Sequence, residues 1–287
     1  MTAQPAKLSP VGTPIQRKLE SIRTQLRSGK RVIKRWSRLA RSDVVVVSHP
    51  KSGRTWLAAM ISHVYHQLHG VPAQTLIRYD NFHRLQPEIP RIFFHDDHPL
   101  PGGRRMVPPS FYKRKKVILL LRDPRDVAVS WYFQLRRNKA DEGRIEPRSL
   151  FRFVVESLPL IMTFFRHWQR DVGLMQDCLV VRYEDLRGAT DHELSRIMGF
   201  IGADCAPETI RRAVEFAAFD NLQSKERQGF FEGDRLRPGS AGDPKSFKVR
   251  RGKVGGYQDE FTAEQLARIN ALVDDPATAR FGYQTGG

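Results

Sequence analysis

Short apolar runs alternate along the chain with longer segments in which apolar residues recur every three or four positions. The β-branched run Val44–Val47 and the run Val117–Leu121 are typical of buried parallel strands. Helical spacing follows each run and begins at Thr55 and at Asp126. Strands that alternate with helices predict an α/β fold, a single domain with a central parallel sheet flanked by helices.

The same pattern predicts two more strands and four more helices. The strands are Ile92–Phe94 and Leu179–Val181, and the helices are Leu150–Val172, Asp191–Ile201, Pro207–Phe216 and Ala263–Val273. Pro159 is expected to kink or split the first of these helices. The segment from Asn221 to Gly256 is rich in Gly, Lys, Arg and Asp and predicts a long mobile loop of the kind that binds cofactors or acceptors.

Composition narrows the class of protein. The chain has 287 residues, a formal charge of +17 and two cysteines, Cys178 and Cys205. No stretch approaches the roughly 20 apolar residues of a spanning helix, and Met1–Pro14 lacks a signal core, so we expect a cytoplasmic protein. The excess positive charge predicts an anionic partner.

Much of this charge lies in residues 1–42, which hold eleven Lys or Arg and one Glu. Their net charge of +10 leaves +7 for residues 43–287, the expected folded domain. Apolar residues in the arm, including Trp36, recur at helical spacing. A basic amphipathic helix suits peripheral contact with an anionic membrane, and a solvated arm or a helix packed on the domain explains the pattern as well.

The turn Ser48–Trp56 joins the first predicted strand to the first predicted helix. Gly53 lets the backbone approach an oxyanion, towards which the amides of a helix N-terminus point. Side-chain donors surround it: Lys51, Ser52, Arg54 and Thr55. Lys51 precedes the glycine, so the turn differs from the phosphate loop of ATPases, which disfavours an ATP-dependent phosphotransferase. That activity is kept as an alternative function, and a membrane- or nucleic-acid-binding module that uses the basic arm is the other alternative.

Two more clusters offer anion-binding side chains. Arg122 ends a predicted strand, and Ser130 lies up to two turns into the next helix, where they suit a phosphate or a salt-bridged helix cap. The third cluster places Lys248, Arg250, Arg251 and Lys253 around Gly252. It is compatible with a mobile anion clamp or with a solvated charged face.

In order and internal spacing, these three clusters resemble the motifs of the cytosolic-type sulfotransferases. The chain looks like a bacterial-like member of that family. That family uses 3′-phosphoadenosine-5′-phosphosulfate (PAPS). Its P-K-S-G-T-T-W, R-[DN]-x-x-D-x-x-x-S and R-K-G-x-x-G-D-W-K-x-x-F-T motifs are matched by Pro50–Trp56, Arg122–Ser130 and Arg250–Thr262. The resemblance implies a P-loop-like transferase that moves a sulfuryl group from PAPS to the hydroxyl of an alcohol, phenol, sugar or glycolipid. The products are a sulfate ester and 3′,5′-ADP (PAP), and neither metal nor nucleic acid is implied.

The resemblance also assigns the cofactor site. It implies that Lys51, Ser52, Gly53, Arg54 and Thr55 hold the 5′-phosphosulfate. The 3′-phosphate would be bound by Arg122, Ser130, Arg250, Arg251 and Gly252. Adenine would stack on Trp56 with Phe219 opposite and Tyr183 nearby. Ala217 and Ala218 replace the family's Thr-Ser and weaken the contacts to adenine.

His95 matches the family's catalytic base, with Lys51 placed to stabilise the leaving oxygen. His98 is the rival base. Phe93-Phe94 replace the family's Lys-Thr, and Arg54, which replaces a Thr, is a candidate to supply the missing cation. The run His95–His98 also contains metal-ligand types, although consecutive residues rarely converge on one ion.

Overall fold

The computed structural model describes residues 33–99, 107–141, 149–233, 236 and 252–283. The chain divides into two units, residues 1–41 and Ser42–Gly287. In the smaller unit, residues 33–41 are helical, and the rest of the predicted arm helix lies outside the described residues.

Four parallel strands form the centre of the larger unit, which confirms the predicted α/β fold. Their order in the sheet is β2-β1-β3-β4. The strands are β1 (Val44–Ser48), β2 (Ile92–Asp96), β3 (Lys116–Leu121) and β4 (Asp177–Arg182). Because all four run in the same direction, the residues that follow them meet at one edge of the sheet.

Helices surround this sheet, and the six predicted helices lie close to their predicted positions. The helices are α1 (Arg54–His69), α2 (Pro124–Asp141), α3 (Leu150–Asp171), α4 (Tyr183–Gly188), α5 (Thr190–Ile201), α6 (Pro207–Phe216), α7 (Phe219–Arg227), α8 (Ala263–Val273) and α9 (Pro276–Ala279). Of these, α4, α7 and α9 were not predicted. Single turns of 3-10 helix occur at Pro109–Phe111, Val172–Leu174 and Gly256–Glu260.

The two faces of the sheet are buried differently. Val44 and Val46 of β1 pack in a hydrophobic cluster with side chains of α1, α5 and α6. Val45 and Val47, which point to the opposite face, are also fully buried. A strand that is covered on both faces needs apolar side chains at every position, which is the pattern seen in the sequence.

Two local predictions are wrong in part: Pro159 does not split its helix, whereas a kink there stays a prediction, and the predicted loop is not irregular throughout. Pro159 lies inside α3 without splitting it, because its ring is on the exposed side, where water can bond the carbonyl that loses its amide partner. The predicted loop is helical over its first residues, since Asn221–Arg227 belong to α7, which buries Leu222 and Glu226. Residues 234–235 and 237–251 of that loop lie outside the described residues.

Candidate active site

The turn between β1 and α1 forms a concave group of amides. Lys51 and Gly53 have φ angles of 75° and 95°, in the left-handed region. Ser52 between them is buried. No described side chain caps the N-terminus of α1, so its first amides remain directed at the turn. Successive amides in this conformation bind anions.

Gly53 also meets a steric requirement. A Cβ atom at this position would lie 2.6 Å from Cδ2 of Tyr183, the first residue of α4. The Tyr183 ring is therefore packed directly against the turn. Only glycine satisfies both the positive φ angle and this close approach.

Arg122 connects the three sequence motifs. Its Nη1 donates to the carbonyl of Lys51 (3.3 Å), and its Nη2 donates to the carbonyl of Lys253 (3.4 Å). The same Nη2 lies 3.4 Å from Oδ2 of Asp126, and the guanidinium carbon lies 4.4 Å from the centre of the Tyr183 ring. The predicted 3′-phosphate arginine thus stands where the three motifs meet.

Asp126 attaches the third motif to the second, a role that sequence reasoning missed. Its carboxylate accepts hydrogen bonds from the amides of Gly255 and Tyr257, both at 3.0 Å. Burial raises the pKa of Asp126, and nearby Arg122 opposes this rise. The family motif that ends at Ser130 contains an aspartate at this position, which was the available signal.

The predicted adenine residues lie together. Trp56 and Tyr183 meet edge to face with ring centres 5.8 Å apart. Trp56 Nε1 donates to the carbonyl of Ala217 (2.9 Å), which ties α1 to the residues that precede α7. A Cβ at Gly252 would lie 3.1 Å from the ring of Phe219, so the third motif reaches this group.

Two predicted phosphate ligands lie outside the described residues: Arg250 and Arg251. Ser130 is half-buried in the second turn of α2. Thr55 is half-buried in the first turn of α1, beside the phosphate turn.

Arg54, the first residue of α1, forms an ion pair with Asp96 at the end of β2. The expectation that Arg54 supplies a free cation in place of the family's lysine is therefore too simple. Part of its charge is balanced by Asp96. The pair joins the phosphate turn to the strand that carries His95.

His95 lies beside the phosphate turn but is fully buried. It pairs in register with Val47 of β1, four residues before Lys51. Its ring has no exposed surface and lies 5.9 Å from the Phe93 ring and 6.1 Å from the Tyr112 ring, centre to centre.

A buried carboxylate stands next to this histidine. Asp97 Oδ1 lies 3.9 Å from Nε2 of His95, and Asp97 Oδ2 accepts a hydrogen bond from Nε1 of Trp168 (2.9 Å). The contact with α3 fixes the carboxylate. Sequence reasoning did not assign Asp97 a role, because Trp168 is 71 residues away.

The other two histidines near the turn differ in burial. His49 is buried between the rings of Trp131 (5.7 Å) and Phe164 (5.8 Å), and burial lowers its pKa to about 4. It is therefore neutral at pH 7. His98 is half-buried and close enough to His49 to lower the pKa of His49 further.

Within the described ranges, no group of three or more His, Cys, Asp or Glu side chains is arranged to hold a metal ion. Among the same residues, no helix combines the length and the apolar character needed to cross a membrane.

Comparison with known proteins identifies a family that this chain matches. The family model for the sulfotransferase domain matches residues 41–282. A 3-alpha-hydroxysteroid sulfotransferase of Cavia porcellus is 25% identical over 248 residues, which cover 81% of this chain and 83% of that protein.

Solved structures show the same fold. Mouse sulfotransferase SULT7A1 complexed with PAP has a TM-score of 0.54 at 19% identity, covering 82% of this chain and 83% of that one. Retinol dehydratase in a complex with retinol and PAP has a TM-score of 0.58 at 18% identity, covering 86% and 83%.

The matched residues 41–282 include the whole sheet and all three motifs. Members of this family take the sulfuryl group from PAPS. The chain therefore belongs to the sulfotransferase domain family, and it is a PAPS-dependent O-sulfotransferase.

Proposed function

We propose that this enzyme sulfates the hydroxyl of an apolar alcohol or phenol, with His95 as the general base. The observation that carries the proposal is the position of Arg122, which contacts Lys51 of the first motif, Asp126 of the second and Lys253 of the third. One anion site built from three separate motifs is more than a structural turn requires.

The residues present fit PAPS. The left-handed turn at Lys51–Gly53 and the uncapped start of α1 suit the 5′-phosphosulfate. Arg122 and Ser130 suit the 3′-phosphate, and the resemblance in sequence adds Gly252, Arg250 and Arg251 of the third motif as ligands. Trp56, Phe219 and Tyr183 offer rings to adenine.

PAPS supplies a sulfuryl group on the oxygen that bridges sulfur and the 5′-phosphorus. In the proposed step His95 accepts the proton of the acceptor hydroxyl while the acceptor oxygen forms a bond to sulfur. Lys51 and the turn amides stabilise the electron pair left on the bridging oxygen as its bond to sulfur breaks and PAP leaves. The buried carboxylate of Asp97 stabilises the protonated ring of His95.

The surroundings of His95 favour an apolar acceptor. Phe93 stands in the family's lysine position, and its ring meets Tyr79 at 6.2 Å. Tyr79 has a φ angle of 50°, which costs about 1 kcal/mol in backbone strain. Its carbonyl accepts a hydrogen bond from the amide of Ile92 (3.0 Å). Because His95 has no exposed surface, the proposal requires that neighbouring side chains move before the acceptor reaches it.

Half-buried aromatic residues also lie together on α2 and α3. Phe153 meets Trp131 at 5.8 Å and Tyr132 at 5.5 Å. Such rings bury large apolar area and suit a planar or alicyclic acceptor. The hydroxysteroid and retinol in the names of the relatives are also apolar alcohols, which supports the same choice.

The test is transfer of label from PAPS to a panel of acceptors: a hydroxysteroid, a long-chain alcohol, a simple phenol and a hexose glycoside. We expect transfer to the first three. Labelling of the glycoside alone would contradict the acceptor proposal while leaving the enzyme class intact.

The base is tested in the same assay with three histidine variants. We expect His95→Ala to reduce kcat at least about 100-fold and to leave PAP binding within about twofold, because only proton transfer is lost. His98→Ala and His49→Ala serve as controls. A His95→Ala enzyme of normal rate beside an inactive His98→Ala enzyme would assign the base to His98.

We propose that residues 1–42 make peripheral contact with anionic membranes and that catalysis does not require this contact. We also propose that the enzyme is cytoplasmic. Deletion of residues 1–42 is expected to leave PAP affinity unchanged and to reduce sedimentation with anionic vesicles. Unchanged vesicle binding would contradict the proposed role of the arm.

A further inference from the structure

We propose that Arg187 binds the adenine base of PAPS and replaces the polar contacts that the family obtains from a Thr-Ser pair. This inference rests on the proposed cofactor site and adds to it a residue outside all three motifs.

Helix α4 directs Arg187 towards the adenine residues. Tyr183 and Arg187 are four positions apart on α4, so they share one face of this short helix. Tyr183 packs against Gly53 of the phosphate turn. The guanidinium carbon of Arg187 lies 5.3 Å from the centre of the Trp56 ring.

The third motif approaches the same guanidinium. A Cβ at Gly252 would lie 3.1 Å from Cδ2 of Phe219 and 3.8 Å from Nη2 of Arg187. Arg187 is therefore grouped with Trp56 and Phe219, the two rings assigned to the base. The predicted 3′-phosphate ligands are centred instead on Arg122.

The charge of Arg187 is not balanced by any described carboxylate. Other arginines nearby are paired: Arg182 with Asp185 at 3.7 Å, and Arg196 with Glu193 at 2.5 Å. Arg187 is half-buried, and its guanidinium lies close to the Trp56 ring. Partial burial of a cation without an acid is unfavourable, so a ligand rich in acceptor atoms is the expected partner.

Adenine has the matching chemistry. Its ring nitrogens N1, N3 and N7 accept hydrogen bonds, and a guanidinium both donates in its plane and stacks on rings. At the family's Thr-Ser position this chain has Ala217 and Ala218, and the carbonyl of Ala217 already accepts from Trp56. Arg187 supplies the side-chain donor that these alanines lack.

The experiment measures binding of two probes by calorimetry: PAP and its abasic analogue 1-deoxyribose 3,5-bisphosphate. We expect Arg187→Ala to weaken PAP about tenfold, as for loss of a charged hydrogen bond, and to change the abasic probe less than twofold. Equal weakening of both probes would assign Arg187 to phosphate and overturn the proposal. Unchanged PAP binding would overturn it as well.

Two further variants separate the base contact from charge and folding. Arg187→Lys keeps the charge but lacks the planar fork, so we expect it to recover less than half of the lost PAP binding energy; full recovery would contradict a directed contact. Arg212→Ala removes the same charge from an exposed arginine that pairs with Glu208, and should bind PAP normally. If PAP fails to bind the wild type at all, the proposed cofactor site is wrong, which this series distinguishes from failure of Arg187 alone.

Discussion

The guanidinium of Arg54 and the carboxylate of Asp96 form an ion pair between the first residue of α1 and the last residue of β2. The pair connects the proposed donor site to the strand of the proposed base. Asp96 therefore places a negative charge beside an anion site, and Arg54 balances it.

We predict that Arg54→Thr, which restores the family residue, weakens PAP about fivefold to tenfold because the charge of Asp96 then acts on the anion without the Arg54 guanidinium beside it. The double variant Arg54→Thr/Asp96→Asn should recover affinity to within about threefold of the wild type. Calorimetry with PAP measures both values. Additive losses in the double variant would show that Arg54 acts on the nucleotide directly.

Gly53 and Gly70 provide a matched pair, because both flank α1 with positive φ angles of 95° and 67°. Alanine at either position costs about 1 kcal/mol in backbone strain. Only at Gly53 would the new Cβ meet Tyr183; at Gly70 nothing lies within 4 Å. We predict that Gly70→Ala lowers the free energy of unfolding without affecting PAP binding, whereas Gly53→Ala also abolishes measurable PAP binding. Equal behaviour of the two variants would refute the steric account of the turn.

We predict that Asp97→Asn lowers kcat by about tenfold or more with little change in the affinity for PAP, because the proton acceptor His95 loses a neighbouring negative charge. Asparagine keeps an acceptor for the Trp168 indole, so the packing contact survives. The control Trp168→Phe removes that hydrogen bond and keeps the charge, and should reduce kcat less. Steady-state kinetics measures kcat for both variants. If Asp97 acts only through packing, Trp168→Phe will lower kcat more than Asp97→Asn does.

The buried His49 gives a pH dependence of known sign. Burial lowers its pKa from 6.5 to about 4 in the folded protein. The unfolded chain therefore binds a proton below pH 6.5 that the folded state rejects, so stability is full above pH 6.5 and falls towards pH 4 by up to about 1.4 kcal/mol per pH unit. We predict that urea unfolding of His49→Phe loses this part of the slope between pH 6.5 and 4. An unchanged slope would show that His49 is protonated when folded.

Periodicity predicted the strands and most helices because a sheet covered on both faces imposes continuous apolar runs. The predicted bounds of α8 are correct, since Thr262 and Gln265 form a capping box at its start. The pattern failed for α7, because the charged residue Glu226 occupies a fully buried position where helical periodicity expects an apolar residue.

The contacts that shape the site were less accessible from sequence. Motif residues such as Arg122 were found because each belongs to a short, contiguous motif that can be recognised in the sequence. Asp97 is placed by Trp168 and Arg187 by Trp56, which are distant along the chain. Such contacts depend on the register of the sheet and on how the helices pack over it, which no local pattern encodes.

Thermal unfolding with added nucleotide tests the central claim most directly. A site built for a nucleotide with phosphates at both ribose ends predicts that PAP at 100 times its Kd stabilises the wild type by about 2.7 kcal/mol, or roughly 5–10 °C in Tm, and that Mg–ATP does not. Lys51→Ala should lose most of the PAP effect. Stabilisation by Mg–ATP and none by PAP would contradict the assignment.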